Sequence, residues 1–186
     1  MKIGVKQMVC QRCIMAVKNA LKELSIPDAT VELGEITTSE PLSNSMQEAL
    51  RDKLENLGFQ ILESPTEQLL EKIKVSITQL LEKEEFPESF LLSDFIQKNF
   101  HKDYSTISKT FSQKEGMTLE HFLISQKIEK VKELLFYGEL TLSEIAFKLG
   151  YKSVQHLSSQ FKTSTGLTPT TFRNLKSNQR KGMGHF

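Results

Sequence analysis

The spacing of hydrophobic residues predicts two differently built regions. The first 63 residues mix period-two and helical patterns, whereas most later apolar residues recur at helical spacing. In chain order, the early patterns predict a strand, a helix, a hairpin, a helix and a strand over residues 2–6, 11–24, 29–38, 44–57 and 59–62. This order predicts a small ferredoxin-like βαββαβ domain over residues 1–63, in a chain of the α+β class.

A helix with one apolar stripe is predicted immediately after this domain. Ser64-Pro65 interrupts the earlier pattern, and residues 66–83 then carry Leu70, Ile73, Ile77 and Leu80 on one face. We interpret residues 64–85 as a connecting amphipathic helix. Its stripe either packs on the next domain or forms a short seam between two copies of the chain, so a homodimer stays open as an alternative.

The remainder of the chain contains an internal repeat with an offset of 50 residues. The two copies align without a gap. The matched pairs include Leu92 with Leu142, Ser93 with Ser143, Ile107 with Leu157, Phe111 with Phe161, Gly116 with Gly166 and Phe122 with Phe172. The same structural unit is therefore expected twice.

Each copy has the pattern of two short helices joined by a tight turn. Asp103 or Ser153 suits the N-terminal cap of the second helix, and Gly116 or Gly166 suits its end. One face of that helix is apolar and the other carries short polar side chains, which predicts a helix-turn-helix. The polar face either contacts DNA or is an ordinary helix face exposed to solvent. Lys152 and Lys162 flank the second of these helices, and we expect them to touch phosphates. The full set of expected DNA contacts is Ser105, Thr106, Ser108, Lys109, Lys152, Gln155, His156, Ser158, Ser159 and Lys162.

A longer helix is predicted between the two copies, from Thr118 to Phe136. At 1.5 Å per residue its length is roughly 28 Å, and neighbouring major grooves on one face of DNA repeat every ~34 Å. Charge supports the same partner, because residues 101–186 carry 13 Lys and Arg against 7 Asp and Glu. Residues 1–63 carry 7 against 9, so a polyanion suits the C-terminal part better.

Residues 86–176 resemble the DNA-binding domain of AraC-type transcription regulators. The resemblance is carried by QKIEKVKELL at 126–135, LSEIAFKLGY at 142–151, FK at 161–162 and GLTP at 166–169. It implies an all-α domain with two helix-turn-helix units joined by a long linker helix, and a function in binding promoter DNA. Family members often carry Arg two positions before the Phe of each recognition helix, where this chain has Lys109 and Ser159.

Residues 1–63 resemble the heavy-metal-associated domain of copper chaperones and metal pumps. The segment MVCQRC, from Met8 to Cys13, carries this resemblance, which implies a soft-metal site. The spacing of Cys10 and Cys13 also lets both sulfurs face one ion, and thiolates suit Cu(I), whereas Zn(II) needs two further ligands. A redox dithiol and a pair of inert thiols are the other interpretations. Met8 is read as a core residue sooner than as a third ligand.

Together these patterns predict a DNA-binding transcription regulator that responds to a soft metal ion, or to a metal chaperone, through its N-terminal domain. The alternative is a metal-trafficking or thiol-based sensor protein whose C-terminal half docks on a protein partner. No nucleophilic triad or phosphate-binding glycine loop can be assigned, so we expect no enzyme.

The number of cysteines and the hydropathy of the chain indicate a cellular compartment. With only two closely spaced cysteines, no signal-peptide pattern and no long apolar run, we expect a cytoplasmic protein without a membrane partner. The last segment, residues 177–186, contains two glycines and lacks apolar periodicity, which predicts a flexible tail.

Overall fold

The computed structural model describes residues 1–26, 28–83, 86 and 90–182, with side chains as far as residue 175. The chain divides into two compact units, an N-terminal unit, Met1–Thr78, and a C-terminal unit, Gln79–Phe186. The described part is mostly helical with a small antiparallel sheet, which confirms the α+β class. Among these residues no helix has the length and hydrophobicity that crossing a membrane requires.

The N-terminal unit contains a four-stranded sheet in the order β2-β3-β1-β4, with all neighbouring strands antiparallel. The elements are β1 (Lys2–Lys6), α1 (Gln11–Glu23), β2 (Thr30–Glu32), β3 (Glu35–Thr37), α2 (Asn44–Asn56), β4 (Gln60–Leu62) and α3 (Pro65–Glu82). Up to β4, the order is strand, helix, strand, strand, helix, strand. The hairpin between β2 and β3 turns at Gly34, whose φ of 80° suits glycine.

The two faces of this sheet are buried in different ways. Ile3 and Val5 of β1 and Ile36 of β3 form one core cluster with the buried residues of α1 and α2. Gly4, between the two β1 core residues, points to the other face, where a Cβ atom would lie 2.6 Å from Cγ of Gln68 in α3. Glycine at this position therefore lets α3 approach the sheet closely.

Helix α3 is bonded to the rest of the N-terminal unit by polar contacts as well. The backbone N–H of Gln7 donates to Oε1 of Glu71 at 3.2 Å, and Lys72 forms an ion pair with Glu35 at 2.5 Å. Most of α3 therefore groups with the N-terminal unit, Met1–Thr78, and the division of the chain into domains at Ser64-Pro65 stays a prediction.

The apolar stripe of α3 is covered within a single chain. Leu70 is 1% exposed, and Ile73 and Ile77 are 0% exposed. These residues would supply most of the predicted two-stranded seam. Since they are already buried, the structure favours a packed helix over a seam, but the contacts of α3 described above are with the preceding N-terminal unit and not with the next domain.

The C-terminal unit consists of helices in its described part. After the end of α3 they are α4 (Leu92–Phe100), α5 (Tyr104–Glu115), α6 (Leu119–Tyr137), α7 (Leu142–Lys148), α8 (Val154–Thr165) and α9 (Pro169–Gly182). We call α4 with α5 the first helix pair and α7 with α8 the second helix pair. Helix α6, with 19 residues, connects the two pairs.

Helix α9 continues beyond the point where the flexible tail is predicted to begin. Its backbone is helical as far as Gly182, six residues into the predicted tail of 177–186. Neither proline nor glycine occurs from 170 to 181, so nothing in the sequence stops the helix before Gly182. The last four residues, 183–186, lie outside the described part of the chain.

Candidate nucleic-acid interface and thiol pair

The second helix of each pair buries one face and exposes the other in the same register. Ile107 and Phe111 of α5 are buried, and so are Leu157 and Phe161 of α8. Of the ten residues predicted to contact DNA, Ser108 and Ser158 are half-buried and the others are exposed; these others are Ser105, Thr106, Lys109, Lys152, Gln155, His156, Ser159 and Lys162. The polar faces are thus open to a partner, and the ten assignments stay predictions.

The two pairs are anchored by equivalent aromatic contacts. The rings of Phe111 and Phe122 lie 5.6 Å apart, and those of Phe161 and Phe172 also lie 5.6 Å apart. Gly116 ends α5 and Gly166 ends α8, each in the left-handed conformation, with φ of 71° and 76°. The internal repeat is therefore a repeat of structure, at least in the cores and helix ends.

At the start of α5, the carboxylate of Asp103 accepts hydrogen bonds from the nearby hydroxyl and backbone N–H groups. Oδ2 of Asp103 accepts bonds from the Ser105 hydroxyl at 2.5 Å, the Thr106 backbone N–H at 2.9 Å and the Thr106 hydroxyl at 3.1 Å. These bonds, that of Ser105 first, hold the pKa of Asp103 below its ordinary value. A second carboxylate, Glu120, accepts a bond from the Tyr104 hydroxyl, which lowers the pKa of Glu120.

The start of α8 has a neutral cap. The Ser153 hydroxyl accepts the backbone N–H of His156 at 3.1 Å. The imidazole ring of His156 packs edge-on against Tyr151, with ring centroids 5.6 Å apart. The sequence from Val154 to Thr165 contains no acidic residue, so α8 presents no negative side chain of its own.

An aromatic cage around Lys127 is a feature that sequence analysis misses. The Lys127 ammonium of α6 lies 4.2 Å from the Phe86 ring centroid and 5.2 Å from that of Tyr151. Burial lowers the pKa of Lys127 to about 8 and raises the pKa of the Tyr151 phenol. Phe86 also packs against Gly150, and its N–H donates to the Lys148 carbonyl at 3.2 Å. No local pattern could have indicated these contacts, since they join three distant segments.

The two cysteines lie together where α1 begins. Their Sγ atoms are 3.5 Å apart; Cys10 is exposed and Cys13 is half-buried. The pKa of the Cys10 thiol is lowered, first by the backbone N–H of Cys13 and then by its side chain, with a smaller contribution from Arg12. Two neighbouring sulfurs, of which that of Cys10 has a lowered pKa, are a donor set that fits a soft metal ion.

Among the residues that the structure describes, the two thiols are not joined by a third His, Cys, Asp or Glu ligand. Met8 is 0% exposed, which agrees with its interpretation as a core residue. Within the described ranges of the chain, no group of three or more His, Cys, Asp or Glu side chains could hold a metal ion. A four-coordinate Zn(II) site is therefore incomplete in the described part of one chain, whereas a two-thiolate site needs only Cys10 and Cys13.

Known proteins are similar to this chain in its C-terminal unit. Residues 96–175 match the family model described as a helix-turn-helix domain. The chain is 33% identical over 73 residues to the xylose operon regulatory protein of Escherichia coli K12, covering 39% of this chain and 19% of that protein. It is 31% identical over 93 residues to an uncharacterized HTH-type transcriptional regulator of Staphylococcus aureus MSSA476, covering 43% of this chain and 12% of that protein.

Solved structures share the fold of this region. The C-terminal domain of AraT, a response regulator from Geobacillus stearothermophilus, aligns with a TM-score of 0.51 at 24% identity, over 60% of this chain and 86% of that chain. The DNA-binding domain of AdpA, solved in complex with a target DNA, aligns with a TM-score of 0.50 at 19% identity, over 58% and 96%. The two curated relatives are named as regulators, and that the present chain is not an enzyme stays a prediction.

These comparisons bear on the C-terminal part, because the family match begins at residue 96. The matched segments also span less than a fifth of the two curated relatives' own lengths. The resemblance of residues 1–63 to a heavy-metal-associated domain stays a prediction.

Proposed function

We propose that this chain, in which residues 96–175 match a helix-turn-helix family model, is a sequence-specific DNA-binding transcription regulator of the AraC type. Its α5 and α8 enter two neighbouring major grooves of one promoter duplex. The observation that carries this proposal is the equal exposure pattern of the two helices, each with a buried core face and an open polar face. A helix-turn-helix uses such a second helix to contact base edges.

The dimensions of α6 support contact by both helix pairs at once. With 19 residues, α6 is roughly 28 Å long at 1.5 Å per residue. The separation of neighbouring major grooves on one face of DNA is about 34 Å, and the side chains of α5 and α8 supply additional reach. The C-terminal excess of Lys and Arg supplies attraction to the phosphates.

The test is selection of bound sequences from random duplexes by the full chain, followed by cleavage protection on the selected site. We expect protection of two neighbouring major grooves over about 20 base pairs. Lys109→Ala and Lys162→Ala should each reduce the slope of log affinity against log salt by about 1, because each phosphate contact releases condensed counterions. Lys18→Ala, an exposed lysine of the N-terminal unit, is the matched control and should leave the slope unchanged. Absence of any preferred duplex at moderate salt would overturn the proposal.

A second candidate function concerns the N-terminal unit, for which we propose a ferredoxin-like domain that responds to a soft metal ion. The specific observation in its favour is the pair of Sγ atoms 3.5 Å apart, with the exposed Cys10 thiol shifted toward thiolate. Cys10 and Cys13 would hold Cu(I), or Zn(II) with ligands from a second copy. The bound ion would supply a charge and a cross-link between the two sulfurs.

Metal response is tested by competition with a Cu(I) chelator. The double variant Cys10→Ser, Cys13→Ser should lose competition, whereas Met15→Ala, which removes an exposed sulfur of the same helix, should keep it. Coupling between the metal site and the DNA site is tested by measuring DNA affinity with and without Cu(I). If Cu(I) changes the affinity of the protein for DNA by some factor, DNA must change the affinity of the protein for Cu(I) by the same factor. Metal binding without any duplex preference would instead favour the metal-trafficking or thiol-sensor alternative with a protein partner.

A further inference from the structure

We propose that α8 supplies most of the base readout, through Gln155 and His156, and that α5 binds mainly the sugar-phosphate backbone. This inference rests on the proposed DNA-binding function and assigns specificity within it. The internal repeat makes the argument direct, because each residue of one helix pair has a counterpart 50 positions away in the other.

The polar side chains at the start of α5 and α8 differ in how free they are to donate a hydrogen bond to a base. Ser105 and Thr106 of α5 both donate their hydroxyl hydrogens to Asp103, at 2.5 and 3.1 Å. Donating to a base acceptor would require each hydroxyl to break its bond to an ionised carboxylate, so each can only accept from a base while that bond is kept. Their counterparts are Gln155 and His156, whose side chains are exposed and donate no hydrogen bond to the described part of the protein.

The second step concerns charge near the DNA backbone. Asp103 and Glu120 both have pKa values below the ordinary range, so they are ionised at neutral pH. Their counterparts in the second pair are Ser153 and Thr170, which are neutral. A carboxylate that faces phosphates repels them, so close approach to the duplex costs more at the start of α5 than at the start of α8.

The third step concerns what each side chain could recognise. Gln can bond N6 and N7 of adenine simultaneously, whereas Ser and Thr hydroxyls bond donors and acceptors alike and discriminate poorly. The contact with Tyr151, at 5.6 Å between centroids, restricts the imidazole of His156 before DNA is bound. A restricted side chain loses less conformational entropy on binding. The specificity-determining set is therefore Gln155 and His156.

The experiment compares matched variants of the full chain in selection from random duplexes, with affinities measured on the site that the parent selects. Gln155→Ala and His156→Ala should each reduce base preference in one half-site by about 10-fold. The counterparts Ser105→Ala and Thr106→Ala should reduce preference in the other half-site by less than about 3-fold. A loss of preference in the Ser105 or Thr106 variants as large as in the Gln155 variant would overturn the proposal.

A reciprocal exchange of the two caps tests the electrostatic step without removing either cap, because Asp and Ser both accept the capping bond. Asp103→Ser should strengthen binding by about 5-fold and Ser153→Asp should weaken it by a similar factor, as expected for one charge close to a phosphate. Circular dichroism should show both variants folded. If Asp103→Ser weakens binding, Asp103 contacts DNA productively and the proposal fails.

Failure here is distinguishable from failure of the proposed function. A parent chain that selects a two-groove site with equal base preference in both halves would refute the unequal readout and keep the DNA-binding function. A parent chain that selects no sequence would refute both.

Discussion

The two helix pairs have the same core but differ in the turn between their two helices. In the first pair the left-handed residue is His101, with φ of 50°, and it is exposed. In the second pair the left-handed residue is Gly150, one repeat position earlier, with φ of 64°, and Tyr151 follows it into the interior. Duplication has therefore preserved the apolar packing, while the turn and the cap have diverged.

This difference separates two kinds of constraint. Core residues set the angle between the helices of a pair, and a phenylalanine in the same place meets the same partner in both copies. In the second pair Phe86 packs against Gly150 of the turn and also lies over the Lys127 ammonium, whereas in the first pair Phe100 beside the turn contacts the Phe95 ring of its own helix. The second pair should consequently be the more rigidly held of the two.

The largest expected effect tests whether the two cores are equivalent. Phe111→Ala and Phe161→Ala each remove a fully buried ring, and the free energy of unfolding of the C-terminal unit should fall by about 3–5 kcal/mol in both variants. Urea unfolding followed by far-UV circular dichroism measures this. Phe147→Ala, which removes a ring that is 73% exposed, is the control and should change stability by less than about 0.5 kcal/mol. A loss below about 1 kcal/mol in one core variant alone would show that the pairs are not equivalent.

The next effect addresses the two turns directly. Gly150→Ala should destabilise the C-terminal unit by about 2–3 kcal/mol, because the new Cβ would lie 2.8 Å from Cβ of Phe86 and the backbone is left-handed. His101→Gly should instead stabilise it by up to about 1 kcal/mol, since glycine adopts φ of 50° without strain. Thermal or urea unfolding of both variants gives the comparison. Equal losses in the two variants would mean that the turns are constrained alike.

Interactions between residues close together in the sequence could be predicted, whereas those between distant residues could not. Asp103 and Ser153 are caps as predicted, and Thr118 is a cap as well, each accepting a backbone N–H three residues ahead; Thr141 forms a capping box with Glu144. Caps and glycine helix ends depend on a few neighbouring residues, so a single sequence reveals them. The repeat then places ten candidate DNA contacts on two polar faces.

The interactions that sequence analysis misses join distant segments. The bond from Gln7 to Glu71 spans 64 residues, and nothing local to α3 indicates that Gly4 leaves room for it on the sheet. The cage around Lys127 likewise combines residues from before α4, from α6 and from the turn before α8. The bonds that tie Ser105 and Thr106 to Asp103 are short-range, but choosing among rotamers of three polar side chains needs coordinates.

The Lys127 cage gives the C-terminal unit a pH dependence in the alkaline range. The folded pKa of about 8 lies below the ordinary value of about 10.4, so between these pH values the unfolded chain holds a proton that the folded chain has released. Stability should therefore rise with pH over that range. The contact with Phe86 favours the ammonium and opposes part of the shift, so we expect a rise of about 1–2 kcal/mol.

Unfolding in urea at about pH 8 and about pH 10 measures this rise. Lys127→Met should remove it, because the variant has no proton to release at this position. Lys132→Met, which changes a lysine on the same helix that is paired with Glu129 at 2.5 Å, should keep it. A rise of equal size in Lys127→Met would assign the pH dependence to another group.

The smallest effect concerns the first helix of each pair, whose caps are also unequal. Thr141 caps α7 through a capping box, whereas the corresponding residue of α4 is Leu91, which is 59% exposed and makes no side-chain cap. Thr141→Ala should cost about 1 kcal/mol, and Leu91→Thr should stabilise the C-terminal unit by about 0.5–1 kcal/mol, because its hydroxyl could accept the free N–H groups of the first turn. Leu91 already has the extended backbone of an N-cap, with φ of −113° and ψ of 125°.

Leu91→Val, which adds a β-branched side chain without a hydroxyl, is the control in the same urea titration. If the valine variant gains as much stability as the threonine variant, the gain comes from shape and the missing cap is not the cause of the asymmetry.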